Sequence, residues 1–142
     1  PGLVAPPATT TFASGADTGS ARGVARAYLP FPLGGSVGAT RIVSPSTILP
    51  LHARQGFSER DLVLQKPLGW SQGFLKEESS VFSPTRESFG HAGMGGALGW
   101  CDPVKKLAIG YVMNRLDWRV RSPRAMALCR ALYDSDGVRE AS

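Results

Sequence analysis

The stretch Phe89-Gly-His-Ala-Gly-Met-Gly-Gly-Ala-Leu-Gly-Trp100, followed by the turn Asp102-Pro-Val-Lys-Lys106 and the run Leu107-Ala-Ile-Gly-Tyr-Val-Met-Asn114, decides the fold. Three strand-sized segments, 88–92, 97–101 and 107–114, are separated by one glycine-dense connection and one turn. Aspartate opening the turn and proline after it suit a type I turn, so the last two segments form an antiparallel pair. Alternation puts Leu107, Ile109, Tyr111 and Met113 on one face of the last strand and Ala108, Gly110, Val112 and Asn114 on the other. Both faces are mostly apolar, which predicts a central strand covered on both sides.

Upstream, Thr18 or Ser20 can cap a helix running to about residue 29, with Ala21, Val24, Ala25 and Tyr28 in one apolar stripe. Pro30 and Pro32 stop it, and Gly34–Gly35 turn the chain. Ser44 caps a second, short helix with Pro45 in its first position, which Pro50 kinks or ends. Segments 62–65 and 69–76 read as strands, and 77–87 as a polar surface loop. Downstream, Ser122 caps a helix over 123–134 whose stripe is Ala125, Leu128, Cys129, Leu132 and Tyr133, with Gly137 beyond its end. The order of helix, short helix, antiparallel strands and terminal helix is an α+β pattern with the last helix laid on the sheet.

Composition narrows the classes. The chain has 142 residues, enough for one ordinary domain, and its 42% hydrophobic content excludes disorder throughout. No apolar run approaches the roughly 20 residues of a membrane-spanning helix. The net charge is +5, but the basic residues are scattered, with local clusters only at Lys105–Lys106 and Arg119/Arg121/Arg124. A solvated basic surface, and no nucleic-acid partner, is the expectation, since net charge reports on solubility before it reports on a site. A basic nucleic-acid-binding fragment remains the lesser alternative. Cys101 and Cys129 read as buried small hydrophobes in a reducing compartment. That leaves the compartment open, with a lean toward cytoplasm or an organelle lumen. No His/Cys spacing suits a metal, and no cofactor is expected. Residues 1–17 read as a loop or arm, 18–137 as the folded portion and 138–142 as a tail; Pro1 in place of Met suggests a piece of a longer chain.

Chemistry concentrates where five glycines fall between Gly90 and Gly99. Glycine in a strand weakens it and often marks the close approach of a ligand or backbone. A bulged structural hairpin explains the same pattern. A nucleophile-elbow expression also occurs, Gly34-Gly-Ser36-Val-Gly38, with Asp61 and His91 in the right chain order. That elbow needs a strand before the serine and a helix after it, and neither context is present.

Segment 89–103 together with Ile109-Gly-Tyr-Val-Met-Asn-Arg115 resembles the C-terminal part of the β-lactamase-related serine hydrolases, which include class C β-lactamases and family VIII carboxylesterases. Weaker likenesses, at 20–28, 42–48 and 122–133, extend the resemblance over most of 18–135. It implies the C-terminal part of a β-lactamase/transpeptidase-like fold, whose missing N-terminal half is the chain's partner, and acyl transfer on a small ester or amide substrate. It also implies a nucleophile and base in Ser-x-x-Lys and Tyr-x-Asn motifs. This sequence has neither, so no catalytic residue is assigned in it and the chain alone is expected to be inactive. The family's Lys-Thr-Gly triplet is matched by His91-Ala92-Gly93, and the resemblance makes the Met94 N–H one oxyanion donor. An extended acyl substrate would add along this strand by main-chain hydrogen bonds. A catalytically silent scaffold or interaction module is the alternative from a different class. Separated from its other half, the chain is expected to expose apolar surface and aggregate.

Overall fold

The computed structural model describes residues 19–76 and 80–140. The expected arm at 1–17 and the first part of the expected polar loop, 77–79, lie outside the described residues. The elements are α1 (Ala21–Tyr28), β1 (Ser36–Val37), β2 (Thr40–Arg41), α2 (Pro45–Ile48) with a 3-10 turn Leu49–His52, β3 (Gly56–Ser58), β4 (Leu68–Ser71), β5 (Phe74–Lys76), β6 (Phe89–Ala92), β7 (Leu98–Asp102), β8 (Leu107–Tyr111), α3 (Pro123–Asp134) and α4 (Asp136–Arg139). β1 and β2 form a small ribbon. Strands β3 to β8 form an antiparallel six-stranded sheet in sequence order.

Local chemistry sets the helix ends. The Ser20 hydroxyl accepts the Gly23 N–H at 3.1 Å, and the Ser44 hydroxyl accepts that of Thr47 at 3.2 Å. Pro45 stands in the first turn of α2, where no N–H is needed. Ser122 occupies the cap position of α3, but its hydroxyl makes no cap bond and donates instead to Asp117 Oδ2 at 2.9 Å.

Two cores form, one on each face of the sheet. Leu68, Leu75, Ala92, Leu98 and Trp100 pack with Phe82 and with Ala125 and Cys129 of α3. On the other face Leu51, Phe89 and Cys101 pack with Tyr28, Phe31 and Phe74. Asp102 ends β7 fully buried. Its Oδ1 accepts the Val104 and Lys105 N–H groups, which builds the expected turn, and its Oδ2 accepts the Ser83 hydroxyl at 3.1 Å and the Tyr133 hydroxyl at 2.8 Å. One carboxylate thus joins the β7–β8 turn to α3. Burial pushes the Tyr133 phenol up, and the Asp102 charge adds to the shift.

Several expectations are corrected. The strand expected at 62–65 is a turn: Asp61 Oδ1 accepts the N–H groups of Val63 and Leu64 and bends the chain, leaving Leu62 and Val63 exposed. The strand expected over 69–76 is the hairpin β4–β5, turning at Gln72–Gly73, and β3 was not anticipated. In the polar loop, Phe82 and Ser83 are buried. Among the described residues β8 is an outer strand, half-buried along its length, and β7 is the strand buried at all five positions. β8 is apolar on both faces because α1 sits on Gly110 while Ile109 and Tyr111 join the opposite core. On α3, Leu128 is 54% exposed and falls outside the buried stripe. At the C-terminal end, α4 begins within the expected folded portion, runs into the segment 138–142 read as a tail, and buries Val138.

Candidate functional site

β6 pairs with β7 along its whole length, Phe89↔Cys101 through Ala92↔Leu98. On its other side, pairing with β5 runs only through Lys76↔Phe89 and Leu75↔Gly90. The ladder with β5 thus ends at Gly90, and from His91 onward that main-chain edge of β6 has no ladder partner among the described residues, although the strand lies inside the sheet. His91 is exposed there, its ring centroid 6.2 Å from that of Trp70. Ala92 is buried.

The chain then turns. The Gly93 N–H donates to Ala97 O at 2.8 Å and the Gly96 N–H to Gly93 O at 3.1 Å. Gly95 has φ +94° in the third position of that turn, the type II pattern that requires glycine there. Met94 occupies the second position and is 79% exposed, and its N–H makes no hydrogen bond among the described residues. At Gly93 nothing among the described residues crowds a side chain: a Cβ built there meets its nearest neighbour, the Ala97 methyl group, at 3.6 Å. Local packing thus does not explain glycine at this position. All four residues singled out from the sequence, His91 to Met94, lie along this one edge and turn.

The residues of the elbow expression do not assemble. Ser36 lies in the β1–β2 ribbon with no helix after it, Asp61 caps its own turn, and neither hydrogen-bonds His91. Two basic residues of the second cluster are engaged with their own chain, Arg121 on Pro67 O and Arg124 on Arg115 O.

Two features were not legible in the sequence. Lys76 is buried, and its ammonium donates to the carbonyls of Leu51, His52 and Glu87 at 3.3, 2.9 and 2.9 Å, beside the Phe89 ring. It anchors the 3-10 turn to β5. Burial, then the nearby Lys76 charge, lowers the His52 pKa. The second feature is Asp117. Its N–H donates to Gly95 O at 2.7 Å, and its carboxylate accepts the Ser122 hydroxyl and the Arg119 N–H. Desolvation opposes the charge on Asp117, but the hydrogen bond from Ser122 and those from the Arg119 and Trp118 N–H groups outweigh it and hold the carboxyl below its ordinary range.

Cys101 is fully buried, its Sγ–H donates to Phe89 O, and burial pushes its thiol up to about 12. Burial likewise raises Tyr28 to about 12. Both groups stay neutral in the folded chain up to about pH 12, whereas in the unfolded chain they ionise at their ordinary values of 9.0 and 10.0. Their contribution to stability is therefore complete below pH 9, the ordinary value for the thiol, and is lost as pH rises toward 12. Melting temperature measured from pH 8 to 11 is expected to fall less steeply for Cys101→Ala than for the wild type. Equal slopes would show that the thiol does not contribute.

No protein-family model matches the chain. It is 33% identical over 99 residues to the esterase/beta-lactamase LipL of Mycobacterium tuberculosis, a match covering 68% of this chain and 22% of LipL. Among solved structures it superposes on a family VIII carboxylesterase with TM-score 0.72 and 34% identity, covering 78% of this chain and 30% of that one. A penicillin-binding protein homologue from Caulobacter crescentus gives TM-score 0.73 and 32% identity, with the same coverage. EstA from Arthrobacter nitroguajacolicus gives 0.69 and 29%, covering 85% of this chain and 32% of EstA. The chain thus spans about a fifth of the curated relative and under a third of each structural neighbour.

Proposed function

We propose that this chain, which carries a portion of the β-lactamase-related serine hydrolase fold, forms the substrate edge and one oxyanion donor of a carboxylesterase-like active site. The observation that carries this reading is the open edge of β6 at His91–Gly93, followed directly by the unbonded Met94 N–H. An ester's acyl portion laid along that edge would hydrogen-bond the main chain, and Gly93 offers no side chain to obstruct it. Its carbonyl oxygen would then receive the Met94 N–H as negative charge develops during attack by a serine hydroxyl. A donor of this kind contributes about 3 kcal/mol to the transition state. The serine, lysine and tyrosine of the reaction would come from a longer polypeptide, since these 142 residues contain no Ser-x-x-Lys and no Tyr-x-Asn. The likeness to an esterase/beta-lactamase and to a family VIII carboxylesterase favours a small-molecule ester as substrate. His91 in place of the family's lysine removes a permanent charge from the edge, which weighs against recognition of an anionic β-lactam.

A chromogenic short-chain ester, supplied to the product of the full open reading frame and to the 142-residue chain, tests the reading. Turnover by the former and none by the latter is expected. No turnover by the full product leaves the silent scaffold as the better account. Turnover by the short chain that Ser36→Ala abolishes would restore the triad of Ser36, Asp61 and His91.

A further inference from the structure

The turn that carries the Met94 N–H is poorly fixed by its own hairpin. Gly95 and Gly96 are consecutive left-handed glycines, at φ +94° and +101°. Glycine pairs of this kind have wide conformational freedom, and within the hairpin only the Gly93–Ala97 and Gly96–Gly93 bonds restrain them. A restraint from outside comes from the segment between β8 and α3. The Asp117 N–H reaches Gly95 O at 2.7 Å. A Cβ at Gly95 would come within 2.9 Å of the Leu116 side chain, and one at Gly96 within 3.0 Å of Ser122 Cβ and 3.4 Å of Asp117 Cβ. The Asp117 carboxylate is itself held by the Ser122 hydroxyl, and Ser122 is fully buried at the start of α3.

We propose that Asp117 and Ser122 are positioning residues that clamp the 93–96 turn and so set where the Met94 N–H points. The inference rests on the active-site reading above, but goes beyond it by assigning a function to two residues that touch no substrate. The Ser122 hydroxyl forgoes its usual helix-capping bond to make this tie. Misplacing an active-site group by about 1 Å can cost on the order of a hundredfold in rate, so loosening the turn lowers kcat while leaving ground-state binding along β6 intact.

The test uses the product of the full open reading frame with Asp117→Ala, Ser122→Ala and Asp117→Asn, assayed for ester turnover and for amide hydrogen exchange in the peptide 92–97. The alanine variants are expected to exchange faster in that peptide alone and to lose about tenfold or more in kcat, with KM within about twofold of wild type. Asp117→Asn keeps a side chain that can pair with the Ser122 hydroxyl and is expected to stay near wild type in both readouts, even if one alanine variant folds poorly. Unchanged exchange in 92–97 overturns the clamp. Faster exchange with unchanged kcat, or a change in KM alone, overturns its catalytic consequence. A wild-type protein without ester turnover overturns the active-site reading instead, while the exchange measurement still decides whether the tie exists.

Discussion

Replacing Met94 by proline is expected to lower kcat for ester hydrolysis by about 10²–10³-fold in the product of the full open reading frame while leaving the melting temperature unchanged or slightly raised. The substitution removes one atom group of interest, the N–H, and the structure tolerates the ring. Met94 stands second in a turn closed by Gly96 N–H to Gly93 O with Gly95 at φ +94°, and proline is favoured in the second position of type II turns. Its N–H has no partner among the described residues to lose, and its side chain is largely exposed. The preceding Gly93 follows directly on β6 and has no Cβ to clash with the proline ring. Met94→Ala, which retains the N–H, should keep most of its activity. A proline variant as active as wild type would remove Met94 from the oxyanion assignment, and a proline variant that melts early would show that the turn is of another type.

Why the residues of the candidate edge could be named from the sequence and the contacts around them could not is a matter of range along the chain. Ser20, Ser44 and Pro45 act on neighbours within four residues, so the helix starts are written locally. Asp102 with Pro103 likewise announces the turn that pairs β7 with β8. Leu62 and Val63 mislead because apolar character suggests a strand, whereas the Asp61 carboxylate turns the backbone beneath them. Lys76 takes its partners from carbonyls 24 and 25 residues earlier and 11 residues later, and no local pattern announces such a contact. The unpaired edge from His91 arises because the β5–β6 ladder ends at Gly90, next to the β4–β5 turn, and the residues themselves could name only the edge's own members. Five of the six strands of the sheet fall in segments that the sequence marked as extended, yet the hairpin within 69–76 and the outer position of β8 come from long-range pairing.

The same register explains the largest expected loss of stability. Gly99 and Gly110 face each other directly across β7 and β8 and together make a bare patch in the sheet. α1 settles into it. A Cβ at Gly110 would lie 2.2 Å from Ala21 O and 2.5 Å from Ala25 N, and one at Gly99 would lie 2.2 Å from the Tyr28 ring. These two sites differ in what must yield. At Gly99 the obstacle is a side chain, held in a tilted contact with Phe31 and an edge contact with Phe74, whose ring can shift with repacking. At Gly110 the obstacle is helix backbone, which moves only if α1 lifts as a unit and takes the Tyr28 packing with it. Gly110→Ala is therefore expected to destabilise the protein by about 3 kcal/mol or more, at or beyond the usual upper range for overpacking, and Gly99→Ala by less. Gly137→Ala supplies the control. That glycine lies in α4 with open space around it and no left-handed φ, so alanine there should stabilise by up to about 1 kcal/mol. Denaturant unfolding of the three variants, compared with wild type, should give that order. Gly110→Ala at wild-type stability would mean that α1 is not bound as closely as the glycine pair implies, and the face of the sheet carrying Phe89 and Cys101 would have to be covered in another way.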